Sequence, residues 1–217
     1  MKLYGYWRSS SAWRVRIALA WKGVPYEYQA VHLVRDGGEQ HGAAYRAVNP
    51  MEEVPTLELE EEEDGKVRRL TQSLAIIDYL EAYAPSPPLL PRAPFLRARV
   101  RQLAEIINAG TQPLQNSGVL ARVKQVGGDE QAWARHYIAR GLGALELAAK
   151  ETAGAFLVGE AVSVADVLLV PQLYNARRFA VPLDPYPLLT RIEAACVSLP
   201  AFADSHPDKQ PDAPSVA

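Results

Sequence analysis

The chain has 217 residues, 48% of them apolar and 22% charged, with a formal net charge of −2. That length supports one or two packed domains, and the composition is that of a soluble globular protein. A charge this close to zero excludes the strong basic field of a nucleic-acid or membrane-surface binder.

The opening Met1-Lys2-Leu3-Tyr4-Gly5 does not lead into a long uncharged apolar run. Neither a signal peptide nor a membrane span is therefore expected, and the cytoplasm is the expected compartment. Residues 3–6 read as a short strand. Ser9, Ser10 and Ser11 follow, ahead of an amphipathic helical pattern over residues 12–21 that Lys22 and Gly23 close. Serine oxygens at such a junction accept from the unpaired N–H groups of the helix. The same end of the helix favours an anion such as a thiolate. Spacing alone leaves a plain cap and a nucleophile-activating site both open.

Residues 26–33 alternate as a second strand and residues 54–59 read as a third. Asp64-Gly65 signals a hairpin between Glu60-Glu61-Glu62-Glu63 and Lys66-Val67-Arg68-Arg69, whose opposite charges pair across the turn. Gln72-Ser73 then opens a helix with apolar residues at helical spacing through Leu80.

From Ala84 to Pro94 there are five prolines in eleven residues, a density that cannot continue a helix and marks a linker. Beyond it the pattern is helical over residues 97–108, 132–150 and 164–174. Ser163-Val164-Ala165-Asp166 is a capping box and belongs to folding. The tail from Pro207 reads as irregular and disordered. The lone Cys196 forms no internal disulfide and sits in an apolar helical stretch, as a buried packing residue does. His32, His41, His136 and His206 lack metal-site spacing, and no glycine-rich phosphate loop is present. The expected fold is an α/β thioredoxin-like domain over residues 1–84, a proline-rich linker over 85–94 and an all-α helical bundle over 95–217.

Arg8-Ser9-Ser10-Ser11-Ala12-Trp13-Arg14-Val15-Arg16-Ile17-Ala18-Leu19, with Lys22-Gly23, resembles the signature of zeta-class glutathione transferases, which include maleylacetoacetate isomerases. The likeness continues through Asn49-Pro50-Met51, Val54-Pro55-Thr56-Leu57 and Gln72-Ser73-Leu74-Ala75-Ile76-Ile77. In the helical half it covers Gln112-Pro113-Leu114-Gln115-Asn116, the run from Asp166 to Gln172, and Ser205-His206-Pro207. The resemblance implies the glutathione transferase fold, a homodimer, glutathione as cofactor and a dicarboxylate substrate. It implies cis–trans isomerisation of maleylacetoacetate to fumarylacetoacetate in tyrosine and phenylalanine breakdown. Maleylpyruvate isomerisation, haloacid dehalogenation and a non-catalytic binding module of the same fold are the alternatives.

On that resemblance Ser9 matches the position whose hydroxyl donates to the glutathione sulfur, and Ser10 stands beside it as its helper. Ser11 replaces the cysteine of many zeta members, so a hydroxyl stands where a protein thiol is usual. Gln72 and Ser73 match the pair that holds the γ-glutamyl carboxylate. Val54 and Pro55 match the segment that pairs with the cysteinyl part, where the fold normally keeps the proline cis. Gln40 matches a position near the glycyl end, while Gln112 and Asn116 reach the site from the helical half. Arg8, Arg14 and Arg178 are the candidates for the substrate carboxylates, since arginine binds carboxylate with two parallel hydrogen bonds.

Overall fold

The computed structural model describes residues 1–59 and 66–214. The expected Asp64-Gly65 turn lies outside these residues. The described chain divides into two compact units, Met1–Pro88 together with Pro200 onward, and Leu89–Leu199.

In the first unit β1 (Lys2–Gly5) leads into α1 (Ser10–Lys22), followed by β2 (Glu27–Ala30), the short α2 (Ala43–Arg46), β3 (Thr56–Glu58), β4 (Arg69–Thr71) and α3 (Ser73–Tyr83). The strands form one sheet in the order β2-β1-β3-β4. β1 runs parallel to β2 and antiparallel to β3, which is antiparallel to β4. This is the mixed sheet expected of a thioredoxin-like unit. The second strand is shorter than anticipated, because past Ala30 the His32 ring nitrogen accepts from the backbone of Val34 and Arg35 and turns the chain. Arg69 and Glu58 pair at 2.8 Å across β4 and β3, a cross-strand charge pair of the kind the flanking charges implied.

α1 departs from its amphipathic reading. Apart from Ser11, every residue from Ser10 to Leu19 is buried, and Arg14 and Arg16 are both fully so. Two guanidinium groups therefore lie in the interior of this unit, which requires hydrogen-bond partners for them. Gly23 closes the helix in the left-handed region at φ 63°, as a C-terminal glycine does.

The second unit contains α4 (Pro94–Asn108), α5 (Ser117–Gln125), α6 (Glu130–Ala149), α7 (Val164–Arg178) and α8 (Pro187–Val197). Pro94 occupies the first turn of α4, where its missing N–H removes no bond. Leu89 and Leu90 are buried, and the Leu89 carbonyl accepts from Val164 at 3.0 Å. The second half of the expected linker is thus packed into the helical unit. At the start of α7 the Asp166 carboxylate accepts from the Ser163 backbone at 2.8 Å, the Ser163 hydroxyl at 2.7 Å and the Leu157 backbone at 2.8 Å. Burial pushes its pKa up to about 6 against those three hydrogen bonds. Cys196 is buried as expected, and burial with the charges of Asp166 and Glu193 holds its thiol protonated.

The tail differs from its expectation. Instead of closing the helical bundle as an irregular end, α9 (Pro200–Asp204) and a 3-10 turn at Pro207–Lys209 return to the first unit. They pack there on α1, where the His206 ring sits edge-on to Trp13 at 5.3 Å.

Candidate active site

β1 ends at Gly5, β3 begins at Thr56 and β4 ends at Thr71, with Tyr4 opposite Thr56 and Thr56 opposite Thr71. The antiparallel register therefore brings three chain segments to one end of the sheet: the loop 6–9, the Val54–Pro55 bond, which is cis, and Gln72.

Ser9 is the N-cap of α1, with φ −67° and ψ 119°, and its Oγ accepts from the Ala12 backbone at 3.2 Å. The cap and the thiol-activating role do not exclude one another. A hydroxyl that accepts through a lone pair still has its proton to donate to a neighbouring anion. No acidic residue stands in the first turn of α1, so the positive end of the helix is not neutralised by the helix itself. Ser10 is buried in that first turn and Ser11 is half-buried beside it.

Gln72 is exposed and held at φ 68°, ψ 114°, a backbone region costly for a residue with a side chain. Ser73 is the first residue of α3, whose first turn also lacks an acid. Arg14 donates to the Ser73 hydroxyl at 3.3 Å inside the unit. That overturns Arg14 as a substrate ligand, because a guanidinium with no exposed surface cannot meet a diffusing carboxylate. Gln40 is buried in the 3-10 turn Glu39–His41. Its amide donates to the Leu33 carbonyl at 3.4 Å and lies 3.0 Å from the His41 ring. Arg8 remains at the loop, its guanidinium 5.2 Å from the Trp7 ring centre.

Two residues not singled out as site residues hold the segment before Val54. Asn49 accepts from Met51 at 3.0 Å and donates to the Glu53 carbonyl at 2.7 Å, and the Tyr45 hydroxyl donates to that same carbonyl at 2.7 Å. The Asn49-Pro50 dipeptide was the available signal, since asparagine ahead of proline initiates turns.

In the helical unit, Gln112 donates to Asn116 at 2.5 Å across a 3-10 turn at Gln112–Gln115. Gln115 and Gln172 exchange amide hydrogen bonds at 2.8 and 3.4 Å, tying that turn to α7. Arg178 ends α7, exposed, with its guanidinium 5.1 Å from the Phe179 ring centre. Among the described residues no group of three or more His, Cys, Asp or Glu could hold a metal ion, and no helix is long and apolar enough to cross a membrane.

A thioredoxin-like sheet with its serine-capped first helix, its cis proline and its Gln-Ser pair at one end, joined in sequence to a helical unit, defines a glutathione transferase. Residues 3–88 match the family model for the glutathione S-transferase N-terminal domain. A probable maleylacetoacetate isomerase 2 from Drosophila melanogaster is 50% identical over 212 residues, covering 98% of this chain and 90% of that protein. A maleylacetoacetate isomerase from Anaeromyxobacter dehalogenans, solved with glutathione in its active site, matches with a TM-score of 0.89 and 55% identity over 98% of this chain and 97% of that one. The same relative has been solved with dicarboxyethyl glutathione and citrate there. A zeta-class maleyl pyruvate isomerase matches with a TM-score of 0.90 and 43% identity over 99% and 100% of the two chains. The chain belongs to the maleylacetoacetate isomerase family of zeta-class glutathione transferases.

Proposed function

We propose that this chain converts maleylacetoacetate to fumarylacetoacetate with glutathione as cofactor. The observation that carries the reading is the convergence of the Ser9 hydroxyl, the Val54–Pro55 segment and the Gln72-Ser73 helix start at one end of the sheet. The donor set fits the tripeptide: a hydroxyl at an acid-free helix start for a thiolate, the backbone at a cis proline for the cysteinyl unit, and an amide with a hydroxyl for a carboxylate. Bound glutathione supplies a thiolate that adds reversibly to the conjugated double bond, leaving a single bond about which the molecule rotates before the thiolate departs.

Ser9 donates to the sulfur and holds it ionised, with the N–H groups of α1 adding to that effect. Ser10 assists from the first turn. Ser11 carries no thiol, so the chemistry uses the cofactor's sulfur alone, and Cys196, buried and protonated, does not substitute. Gln72 and Ser73 take the γ-glutamyl carboxylate. Arg8 and Arg178 are the arginines left for the substrate carboxylates, with Gln112 and Asn116 as polar groups of the helical unit. The TM-score of 0.90 to a maleyl pyruvate isomerase supports a second reading in which the acid is maleylpyruvate. We further assign the protein to the cytoplasm, to tyrosine and phenylalanine breakdown, and to a homodimer; the exposed Phe95 and Leu96 suit a covered surface.

An absorbance assay offering maleylacetoacetate and maleylpyruvate side by side, with and without glutathione, tests the reading. Glutathione-dependent consumption of the first, faster than of the second, is expected. No acceleration of either removes the isomerase assignment.

A further inference from the structure

The loop that presents Ser9 is held from two directions, and one of them is the segment that returns from the far end of the sequence. The Trp7 peptide is engaged on both sides: its N–H donates to Asp212 Oδ2 at 2.9 Å and its carbonyl accepts from Arg16 Nη2 at 2.9 Å. The Tyr6 carbonyl accepts both the Ser9 N–H at 3.0 Å and Arg16 Nη1 at 3.4 Å. Arg16 Nε donates in turn to the Ser205 carbonyl at 3.3 Å. One buried guanidinium thus joins the two residues upstream of Arg8 and Ser9 to the returning segment, whose own carboxylate closes the remaining Trp7 bond.

The titratable groups around Arg16 are Asp212, Tyr26 and Tyr28. Burial raises both phenols above their ordinary value. The Trp7 N–H requires an acceptor oxygen at this place, and the Asp212 side chain supplies it.

We infer that Asp212 and Ser205, acting through Trp7 and Arg16, are positioning residues for Ser9, so that the returning segment controls how well the bound thiol is ionised. The inference rests on the glutathione reading above. The physical reason is distance: the Ser9 hydroxyl stabilises a thiolate only within hydrogen-bond reach, and displacement by about 1 Å removes most of that stabilisation. A loop pinned at Tyr6 and Trp7 has little freedom two residues later.

The test uses the full chain and titrates bound glutathione by the ultraviolet absorbance of its thiolate, with kcat and KM measured alongside. In Asp212→Ala the pH midpoint of ionisation should rise by about one unit, and kcat at pH well below the wild-type midpoint should fall about tenfold. KM for glutathione should change less than about twofold, because Gln72 and Ser73 are untouched. Asp212→Asn keeps an acceptor oxygen for the Trp7 N–H and should recover most of the loss. A wild-type midpoint in Asp212→Ala, or an Asp212→Asn variant as impaired as the alanine, overturns the inference. If Asp212→Ala does not fold, Asp212→Glu, one methylene longer, is expected to give a smaller rise in the midpoint, and no rise there is equally fatal. A wild-type protein that holds no ionised thiol removes the glutathione reading as well; a wild-type thiolate with unshifted variants removes this inference alone.

Discussion

Arg14 Nη1 and Ser73 Oγ meet at 3.3 Å between α1 and α3, joining the helix that Ser9 caps to the helix that Gln72 precedes. An arginine with no exposed surface thus orients the hydroxyl assigned to the γ-glutamyl carboxylate. Arg14→Lys keeps a charge but loses the planar fork and most of its reach. We expect KM for glutathione to rise about tenfold with kcat changed much less, measured by steady-state kinetics. An unchanged KM would show that Ser73 orients itself.

Ser9 carries two roles that substitution separates. Ser9→Ala loses the cap, at about 1 kcal/mol of stability, and the donor, at roughly a hundredfold in kcat. Ser9→Asp caps as well as serine but offers an anion in place of a donor. Thermal unfolding should show its stability restored while the rate stays at the alanine level. Recovery of both together would leave the hydroxyl as a cap only.

Gln72 stands at φ 68°, where glycine is the favoured residue. Gln72→Gly should therefore leave unfolding stability equal or higher, by up to ~1 kcal/mol, while KM for glutathione rises by about tenfold through loss of the side-chain amide. A variant that binds glutathione normally would remove Gln72 from the site.

The Asp166 carboxyl is held at about 6, above its ordinary value of 3.8, chiefly because burial disfavours its charge. The folded state therefore keeps this proton over a range where the unfolded chain has released it. Stability from this group is full below its unfolded value and declines as pH rises through the interval, by roughly 3 kcal/mol in all. The difference in unfolding free energy between the wild type and Asp166→Asn should move against the wild type from about pH 4 to about pH 6 and then level off. Denaturant titrations across that range test it, and a flat difference would mean that the three hydrogen bonds offset the burial.

The elements were legible where periodicity and punctuation agreed. Gly23 stops α1, the prolines from Pro85 to Pro94 separate the units, and Ser163 with Asp166 starts α7, each through its own local chemistry. What local sequence did not show has non-local causes. Arg14 reads as a surface cation beside the serines until its partner 59 positions away is known. The bond between Trp7 and Asp212 spans 205 positions, and nothing near Pro207 announces it.

The return of the chain at Pro200 also imposes an order of assembly. During synthesis the first 88 residues leave the ribosome well before their last partners, since all of Leu89–Leu199 intervenes. Until Ser205 and Asp212 arrive, Arg16 Nε and the Trp7 N–H lack the acceptors they hold in the finished fold. The serine loop is therefore completed last, and a nascent chain arrested in the helical unit carries the reactive loop's sequence without its shape.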